Sequence, residues 1–140
     1  MNGSTACLDA GVVLQLLLDN EDQKVLAQWK LWTQEGTTLV APTLMAYEVV
    51  GVFRKLATEG KLKEDEAADL LGLFFKLGIT FHGDGELHAE ALELGADLGL
   101  ATGDVAHYLA LARRFDAQFW TTSSNLAEDL GPKVPYLKNL

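Results

Sequence analysis

Three acids far apart in the chain, Asp9, Glu48 and Asp104, are the residues whose chemistry most needs an explanation. Asp9 closes the apolar run "TACLDA". Glu48 stands on the second turn of the segment that follows "TTLVAP", and Asp104 opens "TGDVAHYLALARRF". Converging carboxylates repel one another and are costly unless a hard divalent cation neutralises them. Mg²⁺ or Mn²⁺ suits such a set, because it takes oxygen ligands, keeps several waters and can orient or deprotonate one of them for attack on a phosphodiester. Each acid alone has a plainer role: a helix cap at Asp9, a surface residue at Glu48, a first-turn acid matching the helix dipole at Asp104. Their joint placement past strand ends favours a shared site.

Periodicity supplies the elements that would hold them. "TACLDA" and "TTLVAP" read as strands, followed by "ITFH" and "AQFWTT", with a last small strand around "KVPYL". Between them run helical patterns. "GVVLQLLL" is short. "DNEDQKVLAQWKLWTQEG" starts on Asp19 and Asn20 as cap candidates, with Glu21 and Asp22 in its first turn, and stops at Gly36. Thr43 is a cap candidate for "TLMAYEVVGVFRKLATEG", and "KEDEAADLLGLFFKLG", "DGELHAEALELGADLGL", "TGDVAHYLALARRF" and "SNLAEDLG" complete the set. Apolar strands alternating with helices predict an α/β fold, a three-layer α/β/α sandwich around a central parallel sheet of four to five strands. Ligands in such sheets sit beyond the carboxyl ends of the strands, where strand order reverses.

At 140 residues and 49% hydrophobic, the chain is expected to form one domain, residues 1–140, with one sizeable core. No apolar run approaches the roughly 20 residues of a membrane span, and the amino terminus lacks a secretory layout, so a soluble cytoplasmic protein is expected. The lone Cys7 reads as a small buried hydrophobe. A formal charge of −9, from 20 acids against 11 bases, disfavours general attraction to nucleic acid; any such function has to work locally, through a cation or a small basic patch. No P-loop or G-x-G-x-x-G follows a strand, which argues against a nucleotide-cofactor enzyme.

Other residues have competing readings. His107 lies one turn after Asp104 and could face the same site, although a helix-surface histidine is the simpler reading. His82 and His88 flank "GDGE", for which a turn and helix cap is a better account than a metal loop. Arg54, Lys55, Arg113 and Arg114 lie on helices framing the acids and could reach an anionic substrate or be held in ion pairs. Trp29, Trp32, Phe53, Phe74, Phe75 and Trp120 stand mostly at core-like positions, which fits a core better than a stacking platform. In "FWTTSSNLAEDL", Ser124 is expected to cap the last helix.

The segments "CLDAGVVLQLL", "APTLMAYEVVGVFRKL" and "TGDVAHYLALARRFDAQFWTTSSNL" together resemble the PIN-domain family, especially its VapC-type toxins. The resemblance spans about Thr5 to Leu126, and the third segment is its most specific part. It implies a Mg²⁺- or Mn²⁺-dependent ribonuclease that cleaves RNA, a homodimer, and a cognate antitoxin placing a basic or aromatic segment in the acidic site. On this resemblance Asp9 and Asp104 bind metal most directly, Glu48 helps place it or accepts a proton, and Thr121 is the hydroxyl beside the site. The family commonly has a fourth acid where this chain has Ser123, and an Asn where it has Gly51. A PIN domain that binds RNA or protein without cleaving is therefore the nearest alternative. A flavodoxin- or receiver-like regulatory module is the alternative of another class, but "CLDAG" lacks adjacent acids and "FWTTS" lacks the late lysine.

Overall fold

A computed structural model describes residues 4–18 and 23–140. The elements follow the order read from periodicity: β1 (Thr5–Leu8), α1 (Ala10–Leu18), α2 (Gln23–Glu35), β2 (Thr38–Pro42), α3 (Leu44–Thr58), α4 (Glu64–Phe75), β3 (Thr80–His82), α5 (Gly85–Leu98), α6 (Asp104–Arg114), β4 (Gln118–Thr121), α7 (Ser124–Leu130) and β5 (Leu137–Asn139). The proposed caps Asp19 and Asn20, with Glu21 and Asp22, lie outside the described residues.

The strands form one parallel sheet in the order β3-β2-β1-β4-β5. From β1 the chain first works outward through β2 to β3, then crosses back to lay β4 on the other side of β1. The order therefore reverses beside β1, where diverging crossovers open a crevice at the carboxyl ends of the strands. Because β1 is flanked on both edges and covered on both faces, Ala6, Cys7 and Leu8 are fully buried, as an uninterrupted apolar run in a parallel sheet requires. Helix α6 lies against β1, β2 and β4 with α5 packed on it, and α1, α3 and α4 pack together on the other layer. The result is the three-layer α/β/α sandwich expected. On α6 the buried residues include Ala106, Ala110 and Ala112, whose small side chains let its backbone approach the sheet closely.

Three local expectations are corrected. The last strand covers Leu137–Asn139 instead of "KVPYL": Pro135 has no N–H to donate, and Leu137 N still closes a turn onto Val134 O at 3.1 Å. Thr43 makes no side-chain cap, because its φ of −56° and ψ of −24° are already helical, whereas a cap side chain reaches back from extended backbone. Helix α7 is capped by Ser123, not Ser124: Ser123 is extended and its Oγ accepts from Leu126 N at 3.2 Å, which leaves Ser124 as the first helical residue. The turn-and-cap reading of "GDGE" holds, with the Asp84 carboxylate accepting from Leu87 N at 3.1 Å. Cys7 is a buried free thiol donating to Tyr108 O at 3.4 Å; its pKa is pushed up by burial and further by the nearby Asp9 charge. Among the described residues no helix is long and apolar enough to cross a membrane.

Candidate active site

The carboxyl end of β1 delivers Asp9 into the crevice beside the strand-order reversal. Its backbone N–H continues the ladder by donating to Trp120 O at 3.1 Å, so the residue's position is set by the sheet itself. The side chain is then held from both sides. Oδ1 accepts from Val12 N at 3.1 Å, and Oδ2 accepts from the fully buried Thr121 hydroxyl at the end of β4. Thr121 Oγ1 in turn accepts from Ser123 N at 3.0 Å. Gly11 leaves room here: a Cβ at that position would lie 2.4 Å from Thr122 Oγ1 and 3.3 Å from Asp9 Oδ1, so the Thr122 hydroxyl would have to turn away.

Glu48 reaches the same place from α3, and its Oε1 accepts from the Tyr108 hydroxyl at 2.5 Å. Tyr108 lies one helical turn beyond Asp104 on α6 and is itself buried. Burial pushes the phenol pKa up, and the hydrogen bond to Glu48 adds to that, so Tyr108 keeps its proton and acts as a fixed donor. Asp104, exposed at the first position of α6, completes the wall. The three acids, with Gly11 and Tyr108, line one cavity of about 140 Å³.

The electrostatics are those of neighbouring carboxylates. The Asp9 carboxyl is raised above the ordinary carboxylate range, first by burial and also by the Glu48 charge; its hydrogen bonds to Thr121, Val12 and Gly11 oppose the shift without cancelling it. Glu48 is raised first by burial and also by the Asp104 charge, against the lowering effect of the Tyr108 hydrogen bond. None of the ion pairs among the described residues involves any of the three acids. The donors are all hard oxygens, which suits Mg²⁺ or Mn²⁺. Among the described residues no three His, Cys, Asp or Glu side chains stand close enough to hold one ion directly. Mg²⁺ typically binds through one or two carboxylates and fills its other positions with water, so the set fits such an ion in chemistry, and Asp9 with its neighbour Glu48, or Glu48 with Asp104, could hold it.

Thr121 stands behind Asp9, outside the cavity lining, and Ser123 is also outside it, engaged in capping α7. The sequence gives Tyr108 only as part of its most specific segment and assigns no role to it or to Gly11. The i to i+4 spacing from Asp104 to Tyr108 was a usable signal. Of the four cations weighed, Arg54 pairs with Glu64 at 2.8 Å and Arg114 with Asp84 at 2.9 Å.

Fold and site together define an α/β protein with a partly buried acidic centre at the topological switch point of a parallel sheet. No family model matches the chain. Ribonuclease VapC3 of Pyrobaculum aerophilum is 32% identical over 124 residues, covering 86% of this chain and 91% of that protein. Among solved structures, VapBC2 from Rickettsia felis, crystallised bound to a DNA fragment from their promoter, superposes with a TM-score of 0.73 at 14% identity, over 97% of this chain and 98% of the other. PAE2754 from Pyrobaculum aerophilum gives 0.65 at 20% identity, over 90% and 79%. The chain belongs to the PIN-domain family, among its VapC-type members.

Proposed function

We propose that this chain is a divalent-metal-dependent endoribonuclease acting as the toxin of a toxin–antitoxin pair. The observation that carries the reading is the convergence of Asp9, Glu48 and Asp104 on one cavity, with Asp9 and Glu48 driven up in pKa by burial and by neighbouring negative charge. Membership in a family that includes a named ribonuclease supports the RNA substrate, and the Rickettsia felis neighbour, a VapBC assembly, supports an antitoxin partner. A homodimer and a cytoplasmic location belong to the same reading.

A bound Mg²⁺ or Mn²⁺ would supply positive charge to the scissile phosphate and acidify a water. The chain's own residues do the positioning. Thr121, Val12 and Gly11 fix Asp9 in one orientation, so its oxygens would meet a bound ion without reorganising. Tyr108 holds Glu48 Oε1, leaving Oε2 to take the proton of the attacking water, and a carboxylate with raised proton affinity suits that task near neutral pH. Oxygen of that water bonds to phosphorus as the ester bond to the leaving oxygen breaks, and the leaving oxygen takes a proton from solvent. Ser123 contributes the cap of α7 and no charge, so the site is one carboxylate short of the family's common pattern.

The test is RNA cleavage with Mn²⁺ or Mg²⁺ by the wild type, Asp9→Asn, Asp104→Asn and Ser123→Asp. Cutting by the wild type and loss in both Asn variants is expected. Cleavage that survives both changes would remove this site from consideration. An inert wild type alongside an active Ser123→Asp would establish a binding domain that has lost catalysis.

A further inference from the structure

A larger cavity, about 470 Å³, opens on the other side of Asp104, which lines both. That volume falls within the roughly 300–1,000 Å³ of small-ligand sites. It sits where β2 and β3 end, and its floor is tied down: Thr43 N donates to His82 O at 2.9 Å, and Gly83 packs so tightly on Thr43 that a Cβ would lie 2.7 Å from the threonine hydroxyl. Its walls carry Tyr47, 78% exposed and next in sequence to Glu48, together with His82, His88 and His107. The start of α5, which bears His88, is anchored by Asp84 through its cap to Leu87 N and its two contacts with Arg114 at 2.9 and 3.0 Å.

The lining contains aromatic rings and no Lys or Arg, and its single charge is the Asp104 carboxylate. A phosphate is disfavoured there; an uncharged planar group is favoured. The histidines define its polarity. Gly103 O can only accept, so the 2.6 Å contact places a proton on His107 Nδ1. In the neutral pair His107 Nε2 is then an acceptor, the 2.9 Å contact is donated by His88 Nδ1, and His88 Nε2 is left with a lone pair. Asp104 and His88 both call for N–H donors on the occupant.

We infer that this cavity is a nucleobase subsite for the residue flanking the scissile phosphate, in which Tyr47 stacks on the base and the Asp104 and His88 acceptors read its N–H edge. Guanine, with N1–H and N2–H side by side, matches that edge best. The inference rests on the ribonuclease reading for its place in the reaction, but the pocket can be tested without cleavage. The full chain, free of metal, is titrated with guanosine 5′-monophosphate and with ribose 5-phosphate while amide and imidazole NMR signals are followed. The nucleotide is expected to bind about tenfold more tightly than the sugar phosphate, to shift signals of Tyr47, His88 and His107, and to weaken about tenfold in Tyr47→Ala, in line with the effect of removing one stacking ring. His88→Ala should reduce the preference for guanosine over cytidine monophosphate. Equal binding of nucleotide and sugar phosphate, or shifts confined to residues outside the pocket, would overturn the subsite. If the nucleotide binds as expected while no RNA is cut with Mn²⁺, the ribonuclease reading fails and the subsite stands; if RNA is cut but the nucleotide misses the pocket, the subsite alone fails.

Discussion

Asp84 and Asp9 are the same residue type placed just after parallel strands, and their surroundings drive them in opposite directions. Asp84 is exposed, caps α5 and is clasped by Arg114, whose hydrogen bonds hold its carboxyl well below the ordinary range. Asp9 is enclosed among hydroxyl and backbone donors, with Glu48 as its charged neighbour, and its carboxyl is raised. Arg114 satisfies Asp84 from within the chain. Among the described residues, no ion pair gives Asp9 or Glu48 such a partner. The difference separates an acid whose charge the fold satisfies from acids whose charge costs the fold stability, the pattern expected of a functional site and the one the proposed reaction uses.

The contrast is most severely tested by neutralising its two sides. Asp9→Asn should lower RNA cleavage by about 10²-fold or more, yet the metal-free variant should melt no lower than the wild type, since it loses a repelled, desolvated charge. A parallel loss of activity and melting temperature would break the contrast. Metal comes next. At a concentration about 100 times its dissociation constant, Mg²⁺ or Mn²⁺ should stabilise the protein by about 2.7 kcal/mol, read as a rise in melting temperature. This gain should shrink as pH falls. Because Asp9 and Glu48 have raised pKa values in the folded state, they favour folding once protonated, so metal-free stability should increase as pH drops through those raised values towards the ordinary carboxyl range. Asp84 has the opposite sign: its contribution is present above its ordinary value of 3.8 and is lost as pH falls below it. A pH–melting profile with and without metal separates the two windows. Tyr108→Phe is a smaller change, removing the donor to Glu48 and weakening metal affinity by about tenfold, measurable by calorimetric titration. Smallest is Ser123→Ala, which deletes the α7 cap and should cost about 1 kcal/mol in denaturant melts. Ser123→Asp should keep that stability, because Asp and Ser cap alike, and should tighten metal binding.

The order of elements was legible because hydrophobic periodicity is local, and the three acids were legible because a parallel sheet gathers the residues just past its strands along one edge. Elements whose signal depends on partners were not. The last strand is expected around "KVPYL", whereas the turn at Val134 delays pairing to Leu137. Ser123 and Ser124 are interchangeable as cap residues in the sequence; what selects Ser123 is the Thr121 hydroxyl, which holds its N–H and fixes where the helix begins. The Glu48 to Tyr108 bond joins residues on α3 and α6, and the meeting of His88 with His107 follows from the packing of α5 on α6. Neither is written in any local spacing.

The bond from Thr121 to Asp9 spans 112 positions of the chain. On the ribosome, Asp9 therefore emerges long before the strand that brings its partner, and that strand must still insert beside β1, between it and the later β5. A growing polypeptide carries the acids but lacks the arrangement that orients them. If the chain cuts RNA, the orientation that Thr121 gives Asp9 for that task exists only once β4 has been made and has found its place.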